Sequence, residues 1–403
     1  MENLTASTAP LTRSAYRIES IDLLRGLIMI IMALDHTRDF FHKDAFTQDP
    51  LSMETTTPIL FFTRWITHFC APVFVFLSGT SAYFQSLRKS KKELSIFLIK
   101  RGLWLILLEI FLINLLFTFD ISFGLIGLQV IWAIGISMVL LALVIWLPFP
   151  VIAVIGFIIV LGHNSLDFYE AGLKESPGWW YDLLHRFGFY NLWGKHNLVI
   201  LYPFLSWTGL MILDYCFGKV FLKKEGAERR KLLTWIGVAI ILFFIALRAT
   251  EVYGDPIDWA PQKNTLFTIF SFINTQKYPP SLLYMCMTIG PAILFLAWVR
   301  NVRTSLAKFI TVYGRVPFFY YILHFFLIHL VSAICYLARG HSVEEGLADS
   351  PNLIAPKFVA PGEGYSLGVV YVIWILIVLF LYPFCKWYSD YKLTHRKWWL
   401  SYL

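Results

Sequence analysis

The sequence predicts an all-α polytopic membrane protein of about ten transmembrane helices, with both termini cytoplasmic. Three observations predict it. Of 403 residues, 58% are hydrophobic and only 15% charged, against about a quarter charged in a soluble domain. Several apolar runs approach the roughly 20 residues that a helix needs to cross a bilayer. Basic residues gather in alternate loops, which sets orientation rather than a surface for nucleic acid. The net charge of +8 therefore implies a lipid bilayer as partner and no nucleic acid.

In chain order, the expected spans are Ile21–Phe41, Ile59–Leu87, Leu103–Phe119, Leu125–Leu147, Val151–Leu161, Leu198–Phe217, Leu232–Leu247, Ser281–Val299, Val316–Leu337 and Leu367–Lys386. The loop from Arg88 to Arg101 carries RKSKK, and the one from Lys219 to Lys231 carries KKEGAERRK. Arg300, Arg303, Lys308 and Arg315 follow the eighth span; Lys386, Lys392, Arg396 and Lys397 follow the last. The intervening loops are acidic or mixed: Asp167, Glu170, Glu175 and Asp182 in one, Glu251, Asp255 and Asp258 in the next, then Glu344, Glu345, Asp349 and Glu363. The positive-inside tendency puts the basic loops in the cytoplasm. The domain reading is a cytoplasmic tail over 1–20, a membrane domain over 21–390 and a cytoplasmic tail over 391–403. No cleavable signal is expected. Five cysteines without paired spacing read as small buried hydrophobes.

The first span is the one that carries chemistry. After an apolar LIMIIMAL stretch, Asp35, His36, Arg38, Asp39 and His42 arrive together. Ionisable groups at membrane depth are costly and line cavities or pathways. Arg25 and His36 are eleven residues apart, about three turns and about 16 Å, so they share a face. A carboxylate beside an imidazole fixes its tautomer and raises its basicity, which Asp35 or Asp39 could do for His36. Arg64 and His68, four apart in the second span, are expected to face one way. Their alternative reading is interfacial snorkelling for Arg64 and packing for His68. In the ninth span His324 and His329 are five apart, so at most one joins the same cavity, and His324 beside Tyr320 and Tyr321 is the better placed. Arg315, at its cytoplasmic entry, reads either as a phosphate ligand or as ordinary loop charge. KYPPSLLY, from Lys277, opens the eighth span, with Lys277 and Tyr278 near the outer surface. Phosphate-binding loops, dinucleotide fingerprints, serine elbows and zinc-protease motifs are absent. No metal is expected.

IESIDLLRGLIMIIMALDH resembles the opening helix of the heparan-α-glucosaminide N-acetyltransferase family. The Arg25–His36 spacing is similar to that of the wider transmembrane acyltransferase superfamily. THFCAPVFVFLSGTSA, LYPFLSWTGLMILDYCFG, KYPPSLLY and YGRVPFFYYILHFFLIH look like its bacterial branch, which implies a bacterial inner membrane. The resemblance implies acetyl transfer from cytoplasmic acetyl-CoA to an amine or hydroxyl of a sugar or glycan on the far side, and it allows a homodimer. His36 matches the family's functional position at the outer end of the first helix. Read from the residues around that match, the expected site has Asp35, His36, Asp39 and His68 in catalysis, Arg25, Arg64 and Arg315 holding the acyl-CoA, and His42, Lys277, Tyr278 and His324 on the acceptor side. Direct transfer and an acetyl-histidine intermediate both remain open. The competing reading is a secondary transporter of a sugar or small anion, which also buries Arg, Asp and His but usually shows two related halves; no such halves occur here.

Overall fold

The computed structural model describes residues 18–223, 226–299, 304–348, 355–395, 397 and 400. The expected amino-terminal tail lies almost wholly outside these residues, and the carboxy-terminal tail partly so. Among the described residues six helical segments are long and apolar enough to cross a membrane: Pro58–Ser86, Phe149–Ala171, Phe204–Leu222, Gly226–Thr250, Pro317–Ala338 and Leu367–Thr394.

Helix α1 (Glu19–Phe41) has buried residues all round its circumference, from Ile21 and Asp22 to Phe40 and Phe41. A helix buried on every side shows no single apolar stripe. It packs against α3 (Cys70–Ser86), α15 (Ser305–Arg315), α16 (Pro317–Ala338) and α18 (Leu367–Thr394). Its crossing with α15 depends on two glycines. A Cβ on Gly26 would overlap the Ile310 carbonyl, and one on Gly314 would overlap the Asp22 carbonyl. Small residues at such crossings let backbones approach closely.

The span expected from Ile59 is broken in the middle. Thr57 and Pro58 start α2 (Pro58–Ile66), with the Thr57 side chain accepting from the Leu60 N–H. A 3₁₀ turn, Thr67–Phe69, then joins α2 to α3. Helix α4 (Lys91–Leu108) begins well before the expected Leu103, at a capping box of Ser90 and Glu93. It runs through a π turn, Glu109–Ile113, into α5 (Asn114–Thr118).

Two expected spans begin as strands instead, so the fold is mostly helical rather than all-α. Leu125–Leu128 is β1, and Gly188–Trp193 and His196–Ile200 are β2 and β3. Strand β3 lies centrally, parallel to β1 (Leu125 opposite Asn197) and antiparallel to β2. Pro203 drives Tyr202 out of the α region and so separates this stretch from the next helix, while pairing with β1 and β2 holds His196–Ile200 extended. That helix, α10 (Phe204–Phe217), starts with Pro203 as its cap. Helix α6 (Val130–Val144) starts after Gln129, and its second and third residues donate to the buried Glu109 carboxylate: the Trp132 N–H at 3.0 Å and the Ile131 N–H. The Asn114 side chain ties β1 down, accepting from the Gly127 N–H at 2.6 Å and donating to the Gly127 carbonyl at 3.1 Å.

Between these lie α7 (Phe149–Gly162), the short α8 (Ser165–Ala171), α9 (Trp179–Leu184) and α11 (Val220–Lys223). The remainder is α12 (Gly226–Thr250), α13 (Thr265–Ile273), α14 (Leu282–Trp298) and α17 (Val343–Leu347). Helices α12 and α18 turn Trp235, Leu242, Ile375, Leu376 and Phe380 outward, as helices facing lipid do. All five cysteines are free, and three of them, Cys70, Cys286 and Cys385, are buried.

Gly314→Val places a branched side chain where the Asp22 carbonyl sits. The expected outcome is a loss of about 1–3 kcal/mol of stability or more, read as a lowered Tm in detergent, whereas Gly162→Ala, at a position with nothing within 4 Å of an added Cβ and outside the crossing, is expected to leave Tm near that of the parent.

Candidate active site

Asp35 is where the carboxy-terminal half of α1 meets α2. One carboxylate oxygen accepts from Arg38 at 3.0 Å and the other from Arg64 of α2 at 2.6 Å. Arg38 also donates to Asp39 at 2.6 Å. Arg38 sits one turn after Asp35 on the same helix, so the helical period brings these two together. Arg64 comes from another helix, and only the packing of α2 on α1 supplies it. The result is a chain of alternating charge, Arg64–Asp35–Arg38–Asp39, with Asp35 and Arg38 buried.

This chain forms one wall of a cavity of about 200 Å³. Asp35, His36 and Asp39 line it from α1, Arg64 and Thr67 from the second span, and Lys277 and Tyr278 from the segment before α14. Its far wall is Leu125, Gly127 and Val199 from the small sheet. His36 lies with its ring centroid 4.2 Å from that of Phe325 and 5.4 Å from that of His324. Its Nδ1 is buried and has no hydrogen-bond partner. The carboxylates that flank His36 in sequence are turned to arginines, so neither forms the acid–imidazole pair that the spacing suggested. An ionised carboxylate in low dielectric is held far more strongly by a guanidinium than by a neutral imidazole.

Of the other expected residues, several lie elsewhere. Arg25 is at the opposite end of α1. It is paired with Asp22 at 3.1 Å and donates to the Gly314 carbonyl at 3.2 Å, which makes it part of the α1–α15 crossing. Arg315 ends α15 and its Nε has no partner. His42 is buried outside the cavity lining, with its Nδ1 accepting from the Asp44 N–H at 3.3 Å. His68 does not share the cavity with Arg64. The 3₁₀ turn winds tighter than an α-helix and carries His68 into the core, where both ring nitrogens lack partners and its carbonyl accepts from the Tyr284 hydroxyl at 2.7 Å. His324 backs His36 rather than lining the cavity: its Nδ1 hydrogen-bonds the Tyr320 carbonyl at 3.1 Å and its Nε2 has no partner. His329 is pinned between the Leu116 and Lys357 carbonyls at 3.0 and 2.8 Å.

Tyr321, expected only as a neighbour of His324, lines the cavity in its place, and a further lining residue, Tyr202, carries no signal in the sequence that singles it out. Tyr202 and Tyr278 hydrogen-bond each other through their side chains and stand edge to face, centroids 5.3 Å apart. No spacing rule finds Tyr202, because the strand-to-helix corner at Pro203 brings it there. A second cluster outside the cavity joins Asp167, Glu170 and His185. There Glu170 accepts from Tyr181 at 3.0 Å and meets His185 Nδ1 at 2.7 Å, while His163 meets His185 at 3.2 Å.

The charge chain predicts its own energetics. Arg64→Met leaves the Asp35 carboxylate with one cation and is expected to cost about 3–5 kcal/mol. Adding Asp35→Asn should recover part of that loss, and Tm values around the double-mutant cycle read the coupling.

Residues 17–253 match the family model described as heparan-alpha-glucosaminide N-acetyltransferase, catalytic. The matched stretch contains Asp35, His36, Asp39 and Arg64, while Lys277, Tyr278 and His324 lie beyond it. Comparison with curated proteins finds no match.

Proposed function

Given that the chain belongs to the heparan-α-glucosaminide N-acetyltransferase family, whose members are membrane acetyltransferases with acetyl-CoA as donor, we propose that it moves an acetyl or short acyl group from cytoplasmic acyl-CoA to an amine or hydroxyl of a sugar or glycan on the extracytoplasmic side. In this reading both termini are cytoplasmic and the protein resides in a bacterial inner membrane. The alternation of basic and acidic loops supports that orientation. The observation that carries the proposal is His36, set in the wall of a cavity inside the helical bundle and free of any carboxylate partner.

A neutral imidazole is the form that the first step needs. The acceptor's N–H or O–H donates its proton to His36 as the heteroatom attacks the thioester carbonyl. The same proton then goes to the departing thiolate as the C–S bond breaks. Arg38 and Arg64 occupy Asp35 and Asp39, so His36 takes the proton without a carboxylate partner, and the same pairs tie the His36 turn of α1 to α2. Phe325 and His324 support the ring from behind. Positioning of this kind lets two bound reactants meet without further loss of freedom. On the donor side, Arg315 and the Arg88–Arg101 loop supply the cations that attract a phosphorylated cofactor.

The test is CoA release from acetyl-CoA by purified protein with amino-sugar acceptors. His36→Ala is expected to lower kcat by about 10²- to 10⁴-fold while elution volume and Tm stay those of the parent. Turnover unchanged by this substitution would remove His36 as the base.

A further inference from the structure

The cavity holds one cation that its own carboxylates do not neutralise. Of the two cationic side chains that line it, Arg64 is engaged by Asp35 at 2.6 Å. Lys277 has no ion-pair or hydrogen-bond partner among the described residues; its Nζ rests 5.1 Å from the centroid of the Tyr278 ring. The other polar lining groups are mostly committed. The Asn114 amide is spent on Gly127, the Thr67 hydroxyl donates to the Arg64 carbonyl at 2.7 Å, and the Tyr278 and Tyr202 side chains hold each other.

The backbone under Lys277 is fixed. A single carboxylate oxygen of Asp255 accepts from the Gln276 N–H at 2.9 Å and from the Ser281 hydroxyl at 2.6 Å. It thus clamps both ends of the Lys277–Pro280 turn. The turn is closed again by the Ser281 N–H on the Gln276 carbonyl at 3.0 Å, and Ser281 caps α14 through the Tyr284 N–H at 3.0 Å. Arg248, itself buried, braces the preceding segment by donating to the carbonyls of Ile257, Ser271, Phe272 and Asn274. An unpaired ammonium on so rigid a mount, inside a largely apolar cavity, is a charge preorganised for an anion.

We propose that Lys277 is a catalytic residue that stabilises the oxyanion of the transfer reaction. The inference rests on the acetyl-CoA reading above. As the acceptor heteroatom bonds to the thioester carbon and its proton passes to His36, the carbonyl π pair moves onto oxygen, and the Lys277 ammonium donates a hydrogen bond to that oxygen. When the C=O bond re-forms, the C–S bond breaks and the proton on His36 goes to sulfur, leaving an N- or O-acetyl product and CoA thiol. An acetyl-histidine route passes through the same kind of oxyanion, so Lys277 serves either path.

The experiment is steady-state kinetics of the full-length protein in detergent, with acetyl-CoA and the best amino-sugar acceptor varied separately. Lys277→Met is expected to lower kcat by about 10²- to 10³-fold, the range for losing one oxyanion donor, with both KM values within about threefold. Lys277→Arg should restore part of kcat because the charge and a donor return. Lys277→Gln, a polar isostere, covers the case in which the methionine variant fails to fold. A loss confined to acceptor KM would make Lys277 an anchor for a negative group on the acceptor and overturn the proposal, as would an unchanged kcat. If the parent protein releases no CoA with any acceptor, the donor reading falls and takes this role with it; if the parent turns over and the variants match it, only the role of Lys277 falls.

Discussion

The alternating charge chain Arg64–Asp35–Arg38–Asp39 is the constraint on which the cavity end of this protein depends. Each of these ions, moved from water into a buried site, costs several kcal/mol, and only close cross-pairing offsets it. Two carboxylates and two guanidinium groups, linked at 2.6 to 3.0 Å, meet that condition. Because Arg64 stands on a different helix from the other three, α2 is held to α1 at one register and one rotation. The cavity wall is a consequence of that junction.

The same pairing decides the chemistry available to His36. With Asp35 and Asp39 both engaged by arginines, His36 has aromatic neighbours in place of a carboxylate partner and lines the cavity. The charge chain therefore braces the cavity wall without placing a carboxylate against His36. Lys277, mounted on a separately braced turn, brings a second cation to the lining beside Arg64. In the proposed transfer one group takes the acceptor's proton and the other holds the charge that develops on oxygen.

The opening helix was legible because its signals are local. Ionisable residues following an apolar run mark a lined cavity, and Asp35, His36 and Asp39 do line one. Lys277 and Tyr278 were legible as a proline-interrupted segment at a span's edge. Two misplacements share a cause. Helical spacing was extended through places where the helix is not α: the 3₁₀ turn at Thr67–Phe69 carries His68 away from Arg64, and the break at Pro203 leaves Leu198–Ile200 to pair in the sheet. Arg25 was expected at a cofactor's phosphate for its place at the cytoplasmic entry, yet a carboxylate lies one turn earlier on the same helix and the Gly314 carbonyl also accepts from it.

By itself, the amino-acid order determined that the chain is a bundle of apolar helices in a bilayer, that its first helix carries the polar residues, and that its motifs are those of a membrane acetyltransferase family. These are properties of composition, periodicity and short motifs, all of which act within a few turns of chain. The helical period brings Arg38 to Asp35 and Arg25 to Asp22, but that Arg64 meets Asp35, and that Lys277 and Tyr202 reach the same cavity, was decided only by the tertiary structure, because α2, the sheet corner and the turn before α14 come from sequence positions far apart. Pairing in a low dielectric is settled by contact distance across those elements, and no spacing along the chain encodes it.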